Sequence, residues 1–291
     1  MNLLSYLRQR PWPGLSGLFD FSAAQDQSRC DIPEAAKGVY LIGTGPGDPE
    51  LLTVKAERLL RQADVVLYDA LIPTPLLGLL PRRCRQIYVG KRAGQHALKQ
   101  TEINRLLVEY GRLGGVVLRL KGGDPSIFGR VSEEAVALEQ AGLSFAIVPG
   151  VTSACAASAY CGIPLTSRGV ASSVQFLTAQ FAEPEQQPDW AGYRYRPDGQ
   201  NPTLVVYMGL TRLPLLCNGL RSVGWPQHTA IALLDKVSTP EQRQLIGTLA
   251  DIQQKLQAQP LQGPTLILIG DVVKLPMAVS SALVHQQLSK P

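Results

Sequence analysis

Val39-Tyr40-Leu41-Ile42-Gly43-Thr44-Gly45-Pro46-Gly47-Asp48-Pro49 is a short apolar run that breaks into a turn of interleaved glycine and proline. A brief apolar run bounded by glycine fits a strand buried on both faces. The turn after it bares backbone at the strand's carboxyl end, where open α/β sheets bind ligands. The same grammar recurs where Val116-Val117-Leu118-Arg119-Leu120 runs into Lys121-Gly122-Gly123-Asp124-Pro125. Two strands that end in a glycine turn with Asp-Pro point to a built site. The first turn carries Asp48 where a dinucleotide fingerprint has its third glycine, and no Lys-Ser/Thr pair follows, so it is neither that fingerprint nor a phosphate loop.

Around these turns, apolar runs alternate with helical spacing. Strands over 39–43, 65–68, 86–89, 116–120 and 145–148 are separated by helices over about 53–62, 74–80, 101–110 and 132–141. Such βαβ alternation predicts a mostly parallel sheet. Pro149-Gly150 closes this unit, and the next helix, 152–160, is built of Ala, Ser and Cys, which permits close packing at a domain junction. A second α/β domain follows, with strands at 173–178, 203–208, 230–234, 244–248 and 265–269 and helices at 213–223 and 249–256. The expected organisation is an irregular extension over 1–37, an N-terminal α/β domain over 38–149, a C-terminal α/β domain over 150–275 and a tail over 276–291. Residues 182–202, rich in Pro, Gln and Asp but holding Trp190, Tyr193 and Tyr195, read as a long connection.

The composition bounds the function. The 291 residues are 45% hydrophobic and 18% charged, with 27 Gly and 22 Pro, which is a globular chain long enough for two modest cores. Net charge is +5, yet no block of Lys or Arg appears and aromatic residues are scarce, so a nucleic-acid surface is not indicated. Between Gly38 and Arg130 there are 14 Lys and Arg against 8 Asp and Glu, an excess that suits a small acidic substrate. Five cysteines without a CxxC pair and only three histidines encode neither a disulfide framework nor a metal site. The segment Met1–Pro13 has too short an apolar core for a secretory signal, and the apolar stretch 146–165 is interrupted by Pro149, Gly150, Gly162 and Pro164, which argues against a membrane span. A reducing, cytoplasmic setting is the expectation.

Tyr68-Asp69 ends the second strand at the same sheet edge, placing a carboxylate where catalytic groups commonly lie. Val89-Gly90-Lys91-Arg92-Ala93-Gly94 brings two cations to that edge. Arg119 to Arg130 is the densest segment, a glycine turn with the cations Arg119, Lys121 and Arg130 and the anion Asp124. These motifs join five others in order: Gly45-Pro46-Gly47-Asp48-Pro49-Glu50-Leu51-Leu52-Thr53, Val148-Pro149-Gly150-Val151-Thr152-Ser153, Gly162-Ile163-Pro164-Leu165-Thr166, Tyr207-Met208-Gly209-Leu210 and Thr239-Pro240-Glu241-Gln242-Arg243. From about Val39 to Leu275 the chain resembles the tetrapyrrole methylase family, and within it the enzymes that methylate uroporphyrinogen III.

The resemblance implies a two-domain α/β fold, with a mostly parallel N-terminal sheet and a mixed C-terminal one, and usually a homodimer. It implies S-adenosyl-L-methionine in the cleft between the domains, with S-adenosyl-L-homocysteine as product, held at Pro46, Gly122, Gly123, Asp124, Ile127, Thr152, Ser153 and Met208. It further implies methylation of uroporphyrinogen III at two carbons to give precorrin-2. By the same resemblance Asp69, Lys91 and Arg130 are the candidate catalytic residues: Asp69 as proton acceptor, Lys91 as donor or charge stabiliser, Arg130 as an anchor that assists deprotonation. Arg130, Glu133 and Arg168 are the candidate substrate-binding residues, since Arg grips carboxylates bidentately. Ser167, Thr178-Ala179-Gln180, Val131-Ser132, Asp235-Lys236-Val237 and Ser126 depart from the family pattern around the ligand-facing loops. The alternatives are a methylase for another tetrapyrrole or, more remotely, for a protein or RNA, and a tetrapyrrole-binding homologue without turnover.

Overall fold

Strand β1, Gly38–Gly43, shows how the sequence makes the first sheet. Val39 and Leu41 pack into one hydrophobic cluster while Ile42 and Tyr40 pack into another, so both faces of the strand are covered and the run is apolar throughout. The computed structural model describes residues 33–90, 98–181, 186–199 and 201–284. Strands β2 (Val65–Tyr68), β3 (Arg85–Tyr88), β4 (Val116–Lys121) and β5 (Phe145–Val148) join β1 in the order β3-β2-β4-β1-β5, every pairing parallel.

Helices α1 (Val54–Leu60), α2 (Thr74–Leu77), α3 (Gln100–Leu113) and α4 (Val131–Gln140) belong to this half of the chain. Thr53 starts α1 by accepting from the Ala56 N–H at 3.2 Å. Ala56, Leu59 and Leu60 of α1 bury against Ile42, Val66, Leu118 and Leu120. Ile103, Leu107 and Tyr110 of α3, spaced to share one helix face, join Leu138 of α4 against Val39, Leu41, Leu67 and Val117 on the other side. Fully buried leucines such as Leu107 and Leu118 each contribute about 1.5–3 kcal/mol relative to exposure.

The second sheet holds β6 (Val174–Thr178), β7 (Thr203–Tyr207), β8 (Ala230–Asp235), β9 (Arg243–Thr248) and β10 (Thr265–Ile269) in the order β6-β7-β10-β8-β9. Only β6 and β7 pair in parallel, so the sheet is mixed. One face takes α6 (Leu213–Ser222) and α7 (Ile252–Ala258) through Leu213, Leu216, Leu220 and Ile252. The other takes α5 (Ser153–Cys161), whose Ala154, Ala156 and Ala157 lie close against Val205, Leu266 and Leu268. Gly162 ends α5 in the left-handed region at φ 66°, and its carbonyl accepts from the Met277 N–H at 2.7 Å, tying the later chain back to this helix.

The α/β fold with a parallel first sheet and a mixed second one is the fold the sequence predicts. The helix expected over 74–80 is shorter, and the long connection expected over 182–202 packs against the second core where it is described. Trp190–Tyr193 form a short 3-10 turn, Trp190, Tyr193 and Tyr195 pack on the second core, and the Trp225 Nε1 donates to the Tyr193 carbonyl at 2.7 Å. Among the described residues no helix is long and apolar enough to cross a membrane.

Candidate active site

The carboxyl ends of β1, β2 and β4 open onto a cleft of about 1230 Å³. The turn after β1 supplies Gly45 to Pro49, the turn after β2 supplies Asp69 to Thr74, and β4 supplies Lys121 at its end, with Gly122 just after it and Arg130 at the far end of the segment that follows. Thr152 and Ser153 enter from the start of α5, while Tyr207, Met208 and the 236–241 loop come from the second sheet. A cleft of this size exceeds what one drug-sized ligand fills. Phe128, Arg130, Met208, Lys236 and Ser238 are the non-glycine residues with left-handed φ among the described residues, and all five line this cleft. Backbone strain of this kind persists where surrounding contacts over-determine it, and it concentrates at functional sites.

The floor is made by backbone touching backbone. Gly45 and Gly123 exchange N–H···O bonds at 3.2 and 2.7 Å, which joins the two glycine turns directly. A Cβ on Gly43 would fall 2.6 Å from both the Gly123 carbonyl oxygen and the Gly150 nitrogen, so this approach requires glycine. Asp124 locks the arrangement: one carboxylate oxygen accepts from the Ser126 N–H at 2.8 Å and the other from the Gly150 N–H at 3.0 Å.

Behind the floor lies a buried charge network. The strand alternation that turns Val117 toward α3 and α4 also turns Arg119 and Lys121 that way, and there they meet Glu134 on the first turn of α4. Arg119 Nε donates to Glu134 Oε1 at 3.1 Å, and Lys121 Nζ donates to both Glu134 oxygens at 2.9 Å. Arg119 Nη2 reaches Asp69 Oδ2 at 3.1 Å, while Asp69 Oδ1 accepts from the Leu71 N–H at 3.0 Å. Burial, and then the positive charge of Arg119, push the Lys121 ammonium below its ordinary value, with Glu134 opposing them. Nearer solvent, Arg130 and Glu133 form a two-pronged pair at 2.7 and 2.8 Å. That hydrogen bond holds the Glu133 carboxyl below its ordinary value and raises Arg130.

The second sheet closes the cleft through polar clasps. Asp48 Oδ2 accepts from the Tyr160 hydroxyl at 2.6 Å, and the Asp48 N–H donates to Ser238 Oγ at 3.1 Å. Gln242 in turn bonds the Ser238 N–H and the Tyr160 carbonyl, at 2.8 and 3.2 Å. Burial, reinforced by the Asp48 carboxylate, pushes the Tyr160 phenol up. Tyr207 shares a 2.6 Å hydroxyl contact with Thr152 and packs its ring 5.0 Å from Phe128; burial raises its phenol as well.

The structure therefore brings Pro46, Gly122, Gly123, Asp124, Ile127, Thr152, Ser153 and Met208 to one cleft together with Asp69 and Arg130. Glu133 stands behind Arg130 and outside the cleft lining, and Arg168 lies exposed in the turn between Ser167 and Ala171, also outside it. Lys91 falls outside the described residues. Glu134 and Tyr160 escaped the sequence reading. A signal for Glu134 existed, because two cations two residues apart on a buried strand share a face and need a buried anion opposite.

Comparison with known proteins agrees with this geometry. The family model described as Tetrapyrrole (Corrin/Porphyrin) Methylases matches residues 38–253. A siroheme synthase of Acinetobacter baylyi is 49% identical over 242 residues, 83% of this chain and 52% of that protein. One from Azotobacter vinelandii is 46% identical over 243 residues, 84% of this chain and 52% of that protein. The chain thus spans about half the length of the curated relatives it matches. Among solved structures, a uroporphyrin-III C-methyl transferase from Thermus thermophilus complexed with S-adenyl homocysteine superposes with a TM-score of 0.70 at 39% identity, over 82% of this chain and 99% of that one. A cobalt precorrin-4 methyltransferase follows at 0.69 and 29% identity, over 81% of this chain and 95% of that one. The chain belongs to the tetrapyrrole methylase family.

Proposed function

We propose that this chain is an S-adenosyl-L-methionine-dependent C-methyltransferase that methylates uroporphyrinogen III at two carbons to give precorrin-2, working as a cytoplasmic homodimer. The observation that carries the reading is one cleft holding the eight candidate cofactor positions beside Asp69 and Arg130. The residues present fit the cofactor. Gly122 and Gly123 offer bare backbone, and Met208, an apolar side chain left 45% exposed at the cleft, offers a wall for a flat aromatic base. Ile127 adds to that wall, while Thr152 and Ser153 bring polar groups at the start of α5.

When bound, the cofactor supplies an electrophilic methyl group on a sulfonium. The chain's own work is positioning, which is the larger part of an in-line displacement. Arg130 anchors a substrate carboxylate at the cleft mouth, held at a fixed angle by its left-handed backbone and by Glu133. Asp69, fixed at one oxygen by its own turn and at the other by Arg119, takes up the proton that the alkylated ring must lose. Asp124 acts mainly through the turn it ties, with lone pairs remaining for the cofactor.

A methylase for another acidic tetrapyrrole is the second reading. It is favoured by Lys236, a cation with left-handed backbone in the cleft wall, at a position where the chain departs from the family pattern. Incubation of the purified protein with S-adenosyl-L-methionine and either enzymatically generated uroporphyrinogen III or another carboxylated tetrapyrrole, followed by mass spectrometry, tests both. Two added methyl groups support the first reading; transfer only to a different tetrapyrrole supports the second. Full transfer by both Asp69→Asn and Arg130→Ala overturns the assigned roles.

A further inference from the structure

Glu134 has no exposed surface, and the groups facing it are mostly charged: Arg119 and Lys121 from β4 and the neutral Gln100 from α3, whose Nε2 donates at 3.2 Å. Burying three ionised groups together costs desolvation that apolar residues of similar volume avoid, so stability alone gives little reason for them. The network has one partly open end, Asp69, whose side chain is 26% exposed while those of Arg119 and Glu134 are 5% and 0% exposed. Every nitrogen of the Arg119 fork is committed: Nε to Glu134, Nη2 to Asp69, and Nη1 to the Leu120 carbonyl at 2.7 Å. A planar guanidinium fixed on two sides has no freedom left on the third, so the Asp69 oxygen it meets is fixed too.

We propose that Glu134 is a positioning residue for the reaction, holding Arg119 so that Arg119 orients the Asp69 carboxylate at the cleft. Lys121, bound to both Glu134 oxygens, fixes the orientation of that carboxylate and balances its charge. The inference rests on the reading of Asp69 as proton acceptor. It adds that the acceptor's geometry is set from beneath, by a residue that lies outside the cleft lining.

A double-mutant cycle on the full chain tests it. Glu134→Gln is expected to lower kcat for methyl transfer by about 10- to 100-fold, the scale of a misplaced reacting group, with KM for the methyl donor unchanged. In the Asp69→Asn background the same substitution is expected to change kcat less than about twofold, because residues acting as one unit are non-additive. Multiplying effects, or a wild-type kcat for Glu134→Gln, overturn the proposal. Arg119→Lys, which keeps the charge and loses the fork, runs the same cycle if Glu134→Gln does not fold. In the free protein, NMR of the Arg119 Nε–H reads the contact without turnover: a resolved, slowly exchanging signal that Glu134→Gln abolishes is expected, and a signal unaffected by the substitution overturns the proposal. Asp69→Asn at full rate instead fells the proton-acceptor reading, and this role with it, whatever the NMR signal shows.

Discussion

Gly150 carries more structural demand than its size suggests. A Cβ there would meet the Gly43 carbonyl carbon at 2.7 Å, with the Gly123 carbonyl closer still, and backbone cannot yield as a flexible side chain can. Gly150→Ala is expected to destabilise by about 1–3 kcal/mol through overpacking. Gly192→Ala, where nothing lies within 4 Å, should stay within about 0.5 kcal/mol; chemical denaturation midpoints compare the two. Glu133 offers a different kind of test. Its folded-state value is depressed by Arg130, so its small stabilising effect is present at neutral pH and disappears as pH falls through that depressed value. The pair is half exposed, so solvent screening keeps it small. Glu133→Gln should therefore leave Tm nearly unchanged while raising KM for the tetrapyrrole, because Arg130 loses its brace; an unchanged KM would remove Glu133 from the substrate site.

At the scale of elements, the turn after β1 and the 236–242 loop are tied by hydroxyl and amide contacts, beside the apolar cluster that takes in Leu51 and Val237. Tyr160→Phe, which deletes the hydroxyl that donates to Asp48, should cost about 0.5–1.5 kcal/mol. It should also speed hydrogen exchange at residues 45–49 and 236–242 more than in the β4 core. Uniform acceleration across the chain would show that the clasp has no local effect. The strands and helices were legible because many of the apolar periods are bounded by Gly, Pro or a cap such as Thr53, and those are local chemistry. The glycine turns of the site were legible for the same reason. Glu134 was not, since beside Glu133 on α4 it reads as one more solvated acid, and only the packing of α4 on the sheet buries it. Tyr160 was hidden similarly, because its partner Asp48 lies 112 residues away in the chain. The aromatic residues of the 190s read as loop because their anchor, the second core, is assembled mostly from strands and helices later in the chain.

For the whole molecule, the cleft draws its walls from both sheets, so a ligand that binds there stabilises contacts made by each. S-adenosyl-L-homocysteine at 100 times its Kd is expected to stabilise the folded state by about 2.7 kcal/mol. That corresponds to a rise of several degrees in Tm. Asp124→Ala, which frees the Gly150 N–H and loosens the joined turns, should abolish most of the shift. A shift of equal size in that variant would place the ligand elsewhere.

Strand β1 precedes the other strands of its sheet in the chain and sits between the last two of them, pairing 38–43 with 116–121 on one side and 39–42 with 145–148 on the other. During synthesis it therefore waits, with both hydrogen-bonding edges open, until more than seventy further residues have been added. A nascent chain stopped before β4 holds an unpaired apolar strand that invites aggregation and chaperone capture, whereas one carried past Val148 can complete the sheet.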